Sequence, residues 1–241
     1  MIDPADGVAR LFRAIESRDL RLLRDVSNEA VSWRNVPEPP AVGQRAVCRL
    51  IGMVTLPAEQ VSWEVTRLAV CDGVAHVERL DRFLIDGAWC EVWCHGVASF
   101  DDSGRLLALD DYVDLAEWRS RIGPVLGRVA SRSPADLLAL MRDCRGPSWE
   151  RLASVLHPDV VLDLPDSKDR FEGWCSVADV IDGDGPIDAD VFDGRVDSRT
   201  LEVDDDGWCF CSRDSRGSRL SCSVRVASGR VRSLRISADG L

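Results

Sequence analysis

Two short stretches carry ionisable residues where a half-buried strand should carry apolar ones. In Val77-Glu78-Arg79-Leu80-Asp81-Arg82-Phe83, Arg79 and Asp81 are two apart, so on a strand both point to the same face. In Leu107-Ala108-Leu109-Asp110-Asp111-Tyr112-Val113, either Asp110 or Asp111 joins them, because neighbours alternate. A face that holds Asp, Arg and Asp buries three charges, which is costly unless the guanidinium bridges both carboxylates. Two carboxyl groups close together in a dry pocket push one pKa up, which makes one an acid and leaves the other a base. On these residues alone two readings stand: a proton-transfer pair, or a structural salt-bridge network on a core or solvated edge face.

Other chemistry is weaker. Cys90, Cys94 and His95 invite a metal, as do Cys209 and Cys211, but no Cys-x-x-Cys pair occurs. Both groups lie in alternating runs that scatter side chains over two faces. Core or surface thiols are the expectation, with His95 structural or at the surface. His157-Pro158-Asp159 reads as a turn, and Trp63, Trp89, Trp93 and Trp118 as core or rim residues. No Gly-rich phosphate loop occurs, so no metal, nucleotide or organic cofactor is implied.

The elements that must position the charged residues follow from periodicity. Val8, Leu11, Phe12 and Ile15 recur at the spacing of one helical face, with Asp3 as N-cap ahead of Pro4. A second helix starts at Leu20, Leu22 and Leu23. A short strand (Val31–Val36), a proline-rich turn and a short helix around Gln44–Gly52 come next. Four strand-like runs follow, separated by the turn signals Asp72-Gly73, Asp86-Gly87 and Ser103-Gly104. Helices first and a meandering sheet afterwards predict an α+β fold, with helices on one face of a curved sheet.

The chain has 241 residues, more than one small domain needs. Its net charge of −11 argues against nucleic acid, whose binding depends on Lys and Arg neutralising phosphates, and against an anionic membrane surface. No stretch approaches the roughly 18 unbroken apolar residues of a membrane span. The start shows no basic region ahead of an apolar core. With nine Cys, the expectation is a cytoplasmic protein with reduced thiols.

The sequence also resembles itself. Pro4 matches Pro134, Val31 matches Val161 and Gly43 matches Gly173, all at one offset of 130. Asp72-Gly73 is echoed by Asp206-Gly207, and Ser103-Gly104-Arg105 by Ser228-Gly229-Arg230. Two copies of one domain are the economical reading, divided as residues 1–124 and 125–241.

At residues 5–120 the sequence resembles the limonene-1,2-epoxide hydrolases. Three motifs carry the resemblance: Asn35 before the turn Pro37-Glu38-Pro39-Pro40 and Gly43; Glu78-Arg79-Leu80-Asp81; and Asp111-Tyr112-Val113-Asp114-Leu115. It implies the cone-shaped fold shared with nuclear transport factor 2 and the SnoaL-like polyketide cyclases. It also implies one-step hydrolysis of a largely apolar epoxide. In that mechanism Asp111 is the general base that takes a proton from water and Asn35 helps hold the water. Asp81 is the acid that protonates the ring oxygen, Arg79 lies between the carboxylates, and Asp110 faces out. Trp33, Val92, Cys94 and Leu109 would line the pocket.

Two positions depart from the family. Trp33 stands where the family has a water-holding Tyr, and Leu109 where it has a Trp. An indole donates a hydrogen bond but cannot accept one. The alternative is therefore an epoxide-opening or polyketide-type cyclase of secondary metabolism, in which a hydroxyl of the substrate attacks. A non-catalytic small-molecule-binding protein is the third reading.

In the second copy Arg213 aligns with Arg79, but Asp81 falls on Ser215, Asp111 on Ile236, Trp33 on Asp163 and Asn35 on Pro165. With no acid–base pair left, this copy is expected to be a non-catalytic partner, paired with the first as an internal pseudo-dimer or within a homodimer. The acidic segment Asp182–Asp193 is expected to be a solvated loop.

Overall fold

The structure, a computed structural model, describes residues 3–143, 154–164, 170–182, 202–213 and 219–238. The chain divides into two compact units, Met1–Gly127 and Arg128–Leu241. Each is α+β, with its own curved, mixed, six-stranded sheet and helices. The division falls inside a helix, Gly123–Ala130.

The first unit opens with α1 (Pro4–Glu16), whose Asp3 cap accepts from the Ala5 amide at 3.0 Å. Its buried stripe is Val8, Leu11, Phe12 and Ile15. After α2 (Leu20–Asp25) the chain enters β1 (Ser27–Val36), which starts four residues before the expected strand. Long-range pairing sets that start: the Leu106 amide donates to the Val26 carbonyl at 2.8 Å. Then come β2 (Ala41–Val42), α3 (Gln44–Thr55), β3 (Gln60–Cys71), β4 (Val74–Ile85), β5 (Ala88–Phe100), β6 (Leu106–Val113), α4 (Leu115–Arg121) and α5 (Gly123–Ala130).

The turns Asp72-Gly73 and Asp86-Gly87 hold both residues at positive φ, the mirror-image geometry that suits the twist of a hairpin. Asp114 caps α4 by accepting from the Ala116 and Glu117 amides, a structural duty for the last carboxylate of its motif.

The sheet order is β2-β1-β6-β5-β4-β3. β1 runs parallel to β6 and every other neighbouring pair is antiparallel. β4 alternates without a break: Ala75, Val77, Arg79, Asp81, Phe83 and Ile85 are buried, and the residues between them half-exposed. β5 buries Cys90, Val92 and Cys94. Its other parity turns outward, so Trp89 and Trp93 are about half exposed and fill neither core nor rim.

The second unit contains α6 (Pro134–Asp143), β7 (Leu156–Asp163), β8 (Arg170–Glu172), α7 (Trp174–Asp182), β9 (Glu202–Asp204), β10 (Gly207–Arg213), β11 (Arg219–Ala227) and β12 (Arg230–Ala238). Its sheet order, β8-β7-β12-β11-β10-β9, follows the pattern of the first, again with the first long strand parallel to the last. His157, Pro158 and Asp159 belong to β7 and do not form the expected turn.

Hydrogen bonding also corrects the gapless offset. The Gly43 amide donates to Val31, whereas the Gly173 amide donates to Val160. Val160 and Leu162 are the buried pair that corresponds to Val31 and Trp33. Trp33 is thus matched by Leu162 and Asn35 by Leu164, while Asp163 takes the place of Arg34. The outward pair Arg34–Asp110 (2.7 Å) recurs with its charges exchanged as Asp163–Arg235 (3.6 Å). Likewise Ser212 sits across from Leu220 as Arg79 sits across from Cys94, which moves Arg213 off Arg79's position. Pro165, Asp214, Ser215 and the acidic segment beyond Asp182 lie outside the described residues.

Candidate active site

Strand parity brings the candidate groups to one point. Arg79 and Asp81 come from β4, Asp111 from the centre of β6, and Trp33 and Asn35 from β1. In the parallel register Asn35 lies beside Asp111 and Trp33 beside Leu109. Arg79 is 1% exposed, Asp81 6% and Asp111 3%, so the three charges are withdrawn from water. Asp110 points the other way, to its surface pair with Arg34.

The guanidinium holds both carboxylates edge-on. Arg79 Nε donates to Asp81 Oδ1 at 2.7 Å and Nη2 to Asp81 Oδ2 at 3.2 Å. Nη1 donates to Asp111 Oδ1 and Nη2 to Asp111 Oδ2, both at 2.9 Å. The Trp63 ring lies against the guanidinium, 4.3 Å from its central carbon, with Phe12 at 5.3 Å. These contacts fix its plane and recover some of the desolvation energy.

Asp111 receives a further bond. Trp33 Nε1 donates to its Oδ2 at 3.0 Å. Burial works against the charge on Arg79, but Asp111 and Asp81 outweigh it and hold the guanidinium well above its ordinary pKa. Burial pushes the Asp81 carboxyl up to about 6, against the attraction of Arg79 and with the repulsion of Asp111. Burial also raises the Cys94 thiol far above its usual range, so it stays neutral, with the Asp111 carboxylate beside it.

These groups line a cavity of ≈ 190 Å³, smaller than the roughly 300 Å³ at which drug-sized sites begin. Trp33, Asn35, Arg79, Asp81, Val92, Cys94 and Asp111 are on its wall, with Trp63, Phe83 and residues of α3, α4 and α5 completing it. Leu109 is buried on the same face of β6 but packs behind the wall and does not line the cavity. The wall extends to Leu126 of α5, beyond residue 124. The Asn35 side-chain amide makes no hydrogen bond to a described residue.

Two contributors were not singled out from the sequence. Gly96 faces Asp111 across the β5–β6 ladder. A Cβ there would come 2.6 Å from Arg79 Nη1 and 3.0 Å from Asp111 Oδ1, so only glycine leaves room for the bridge. A lone glycine inside a strand pattern is the signal of such close approach. Trp63 was read as core or rim; its special place against Arg79 follows from the β3–β4 register, where it pairs with Asp81.

No family model and no curated protein matches the chain. Solved structures similar to about half of it include an LEH-like epoxide hydrolase from M. tuberculosis. That likeness has 19% identity and a TM-score of 0.44, covering 52% of this chain and 90% of that one. Another is the epoxide hydrolase/cyclase-like enzyme SalBIII, with 12% identity and a TM-score of 0.43, covering 47% and 92%. A third is an NTF2-like protein from Cytophaga hutchinsonii, with 13% identity and a TM-score of 0.40, covering 48% and 94%.

Proposed function

We propose that the first unit is an epoxide-opening enzyme in which Asp81 protonates the ring oxygen and water adds to give a diol. The observation that carries this reading is the state of Asp81. It lines the cavity, keeps lone pairs free of Arg79, and has a carboxyl pKa raised to about 6 by burial. It therefore keeps about a tenth of its population protonated at pH 7 and more below, available as an acid catalyst. Asn35, with its amide unspent, is placed to hold the nucleophile, and Val92, Phe83 and Trp33 supply an apolar wall for a small substrate. In the second unit Leu162, Leu164 and Ile236 occupy the matching positions, which supports a non-catalytic role there.

The test is turnover of a panel of cyclic and terminal epoxides in ¹⁸O-labelled water by the full chain, wild type beside Asp81→Asn. A labelled diol formed by wild type, with about 10²–10⁴-fold less from the variant, is the expected result. Equal turnover by both proteins, or none by either while folded, sinks the reading.

One observation favours a second reading, opening by a hydroxyl of the substrate itself to give a cyclic ether. Trp33 directs its N–H at Asp111, where a water-holding hydroxyl would otherwise stand. An unlabelled cyclic ether from a hydroxy-epoxide would decide for it.

A further inference from the structure

Arg79 treats the two carboxylates alike. It gives Asp81 two N–H bonds, from Nε and Nη2, and Asp111 two, from Nη1 and Nη2. The bridge by itself therefore does not favour a proton on one carboxyl over the other. The asymmetry comes from β1. Trp33 Nε1 donates to Asp111 Oδ2 at 3.0 Å, whereas Asp81 accepts from Arg79 alone among the described residues. The Cys94 thiol, a weaker donor, also bonds to Asp111.

Both lone pairs of Asp111 Oδ2 are thus filled by N–H groups, from Arg79 and Trp33. Neither donor can turn round, because a guanidinium and an indole offer no acceptor. A proton on Oδ2 would face an N–H. A Tyr hydroxyl, which the resemblance puts at this position, both donates and accepts and would leave the proton free to move. The indole is held in place, 1% exposed and edge-to-face with Trp63 at 6.0 Å.

The geometry points to Trp33 as a positioning residue that decides where the pair's proton sits, keeping it off Asp111 and on Asp81. Hydrogen bonds to a charged carboxylate favour the charged form, and Trp33 gives that advantage to one member only. The inference rests on the epoxide-opening reading for what the proton does, but not for where the proton is. Asp81 then holds the proton that a ring oxygen needs, and Asp111, on the same cavity wall, is the member that can take one up.

The charged or titratable groups facing the pair are Arg79 from β4 and Cys94 from β5. Besides Trp33, β1 contributes neutral Asn35. β3 contributes Trp63, and the helices on the cavity wall contribute apolar or aromatic side chains and Thr55. From α1, Glu16 is bound to the Trp63 backbone amide.

The experiment replaces Trp33 in the full chain with 3-benzothienylalanine, which keeps the bicyclic shape and lacks the N–H, and in parallel makes Trp33→Phe. Asp carboxyl carbons labelled with ¹³C are followed by NMR from about pH 4 to 8, with assignments from Asp81→Asn and Asp111→Asn. In wild type the titration near pH 6 is expected at Asp81 and not at Asp111. Without the N–H, Asp111 should share it, because such a bond shifts the balance between ionised and protonated forms by about tenfold or more. In the epoxide assay the acid-side rate should then fall more than the alkaline-side rate, and the midpoint should move up. A proton shared with Asp111 is held to higher pH but is less often on Asp81.

A titration confined to Asp81 in both variants, with the rate lowered equally at every pH, overturns the inference and leaves epoxide opening standing. So does a titration already shared in wild type. Sharing that appears only when the N–H is removed, in a folded protein that opens no epoxide, upholds the placing of the proton and overturns the proposed function.

Discussion

The first unit places Trp33, Asn35, Arg79, Gly96 and Asp111 at five register positions of its sheet. The second unit, built in the same strand order, carries Leu162, Leu164, Ser212, Cys222 and Ile236 at the matching ones. Cys222 and Ile236 are buried, as are Leu162 and Leu164. At these four positions the second frame closes over hydrocarbon and a thiol. A buried ion cluster contributes little to stability compared with apolar packing. The outward pair next to the site is kept in both units with its signs exchanged, as a surface pair that serves only the sheet should be.

Removing the bridge should break the comparison most severely. Arg79→Leu leaves two buried carboxylates facing each other and should cost about 3–5 kcal/mol in urea denaturation, with activity lost. Converting all three residues to apolar ones (Arg79→Leu, Asp81→Leu, Asp111→Ile) replaces the ion cluster with hydrocarbon. It should return stability to within about 1 kcal/mol of wild type without restoring activity. A triple variant as unstable as Arg79→Leu alone would show that the fold needs the charges.

Gly96→Ala puts the methyl group of an ordinary side chain where the bridge runs, and should destabilise by about 1–3 kcal/mol through overpacking. Gly96→Ala with wild-type melting temperature and turnover would mean that the close approach is not a constraint.

Asp81 gives a stability effect of comparable size with a definite sign. Its folded pKa of about 6 lies above the roughly 3.9 of an unfolded Asp. The folded state therefore holds a proton that the unfolded state has released between those values. The contribution of Asp81 to stability should be fully present below about pH 4, fall by about 3 kcal/mol as pH rises to 6, and level off above. Asp81→Asn should abolish this slope, which denaturation at a series of pH values measures. A slope of the opposite sign would mean that Arg79 outweighs burial.

The smallest effect belongs to the outward neighbour. Asp110→Asn loses a half-exposed pair with Arg34 and should cost under about 1 kcal/mol with kcat/KM unchanged. A large loss of activity would show that the face assignment of the two adjacent aspartates matters less than the structure indicates.

The sequence by itself determined the parity of each strand. Period two put Arg79 with Asp81 and limited the third charge to Asp110 or Asp111, because alternation is a local property of extended backbone. It also determined the α1 cap at Asp3 and the two Asp-Gly turns, where one or two residues carry the geometry. The resemblance chose Asp111 over Asp110, and the structure places Asp111 inward.

What the tertiary structure decided was everything set by registers between strands. The early start of β1 depends on pairing with β6, some eighty residues on. The one-residue shift that moves Trp33's counterpart from Asp163 to Leu162 depends on which carbonyl a glycine amide meets. The room at Gly96, the Trp63 ring on Arg79 and the Trp33 bond that occupies Asp111 each require side chains from separate strands to meet at distances near 3–4 Å. No spacing along one chain encodes such distances, because they are fixed only when the strands pair and the sheet curves around its core.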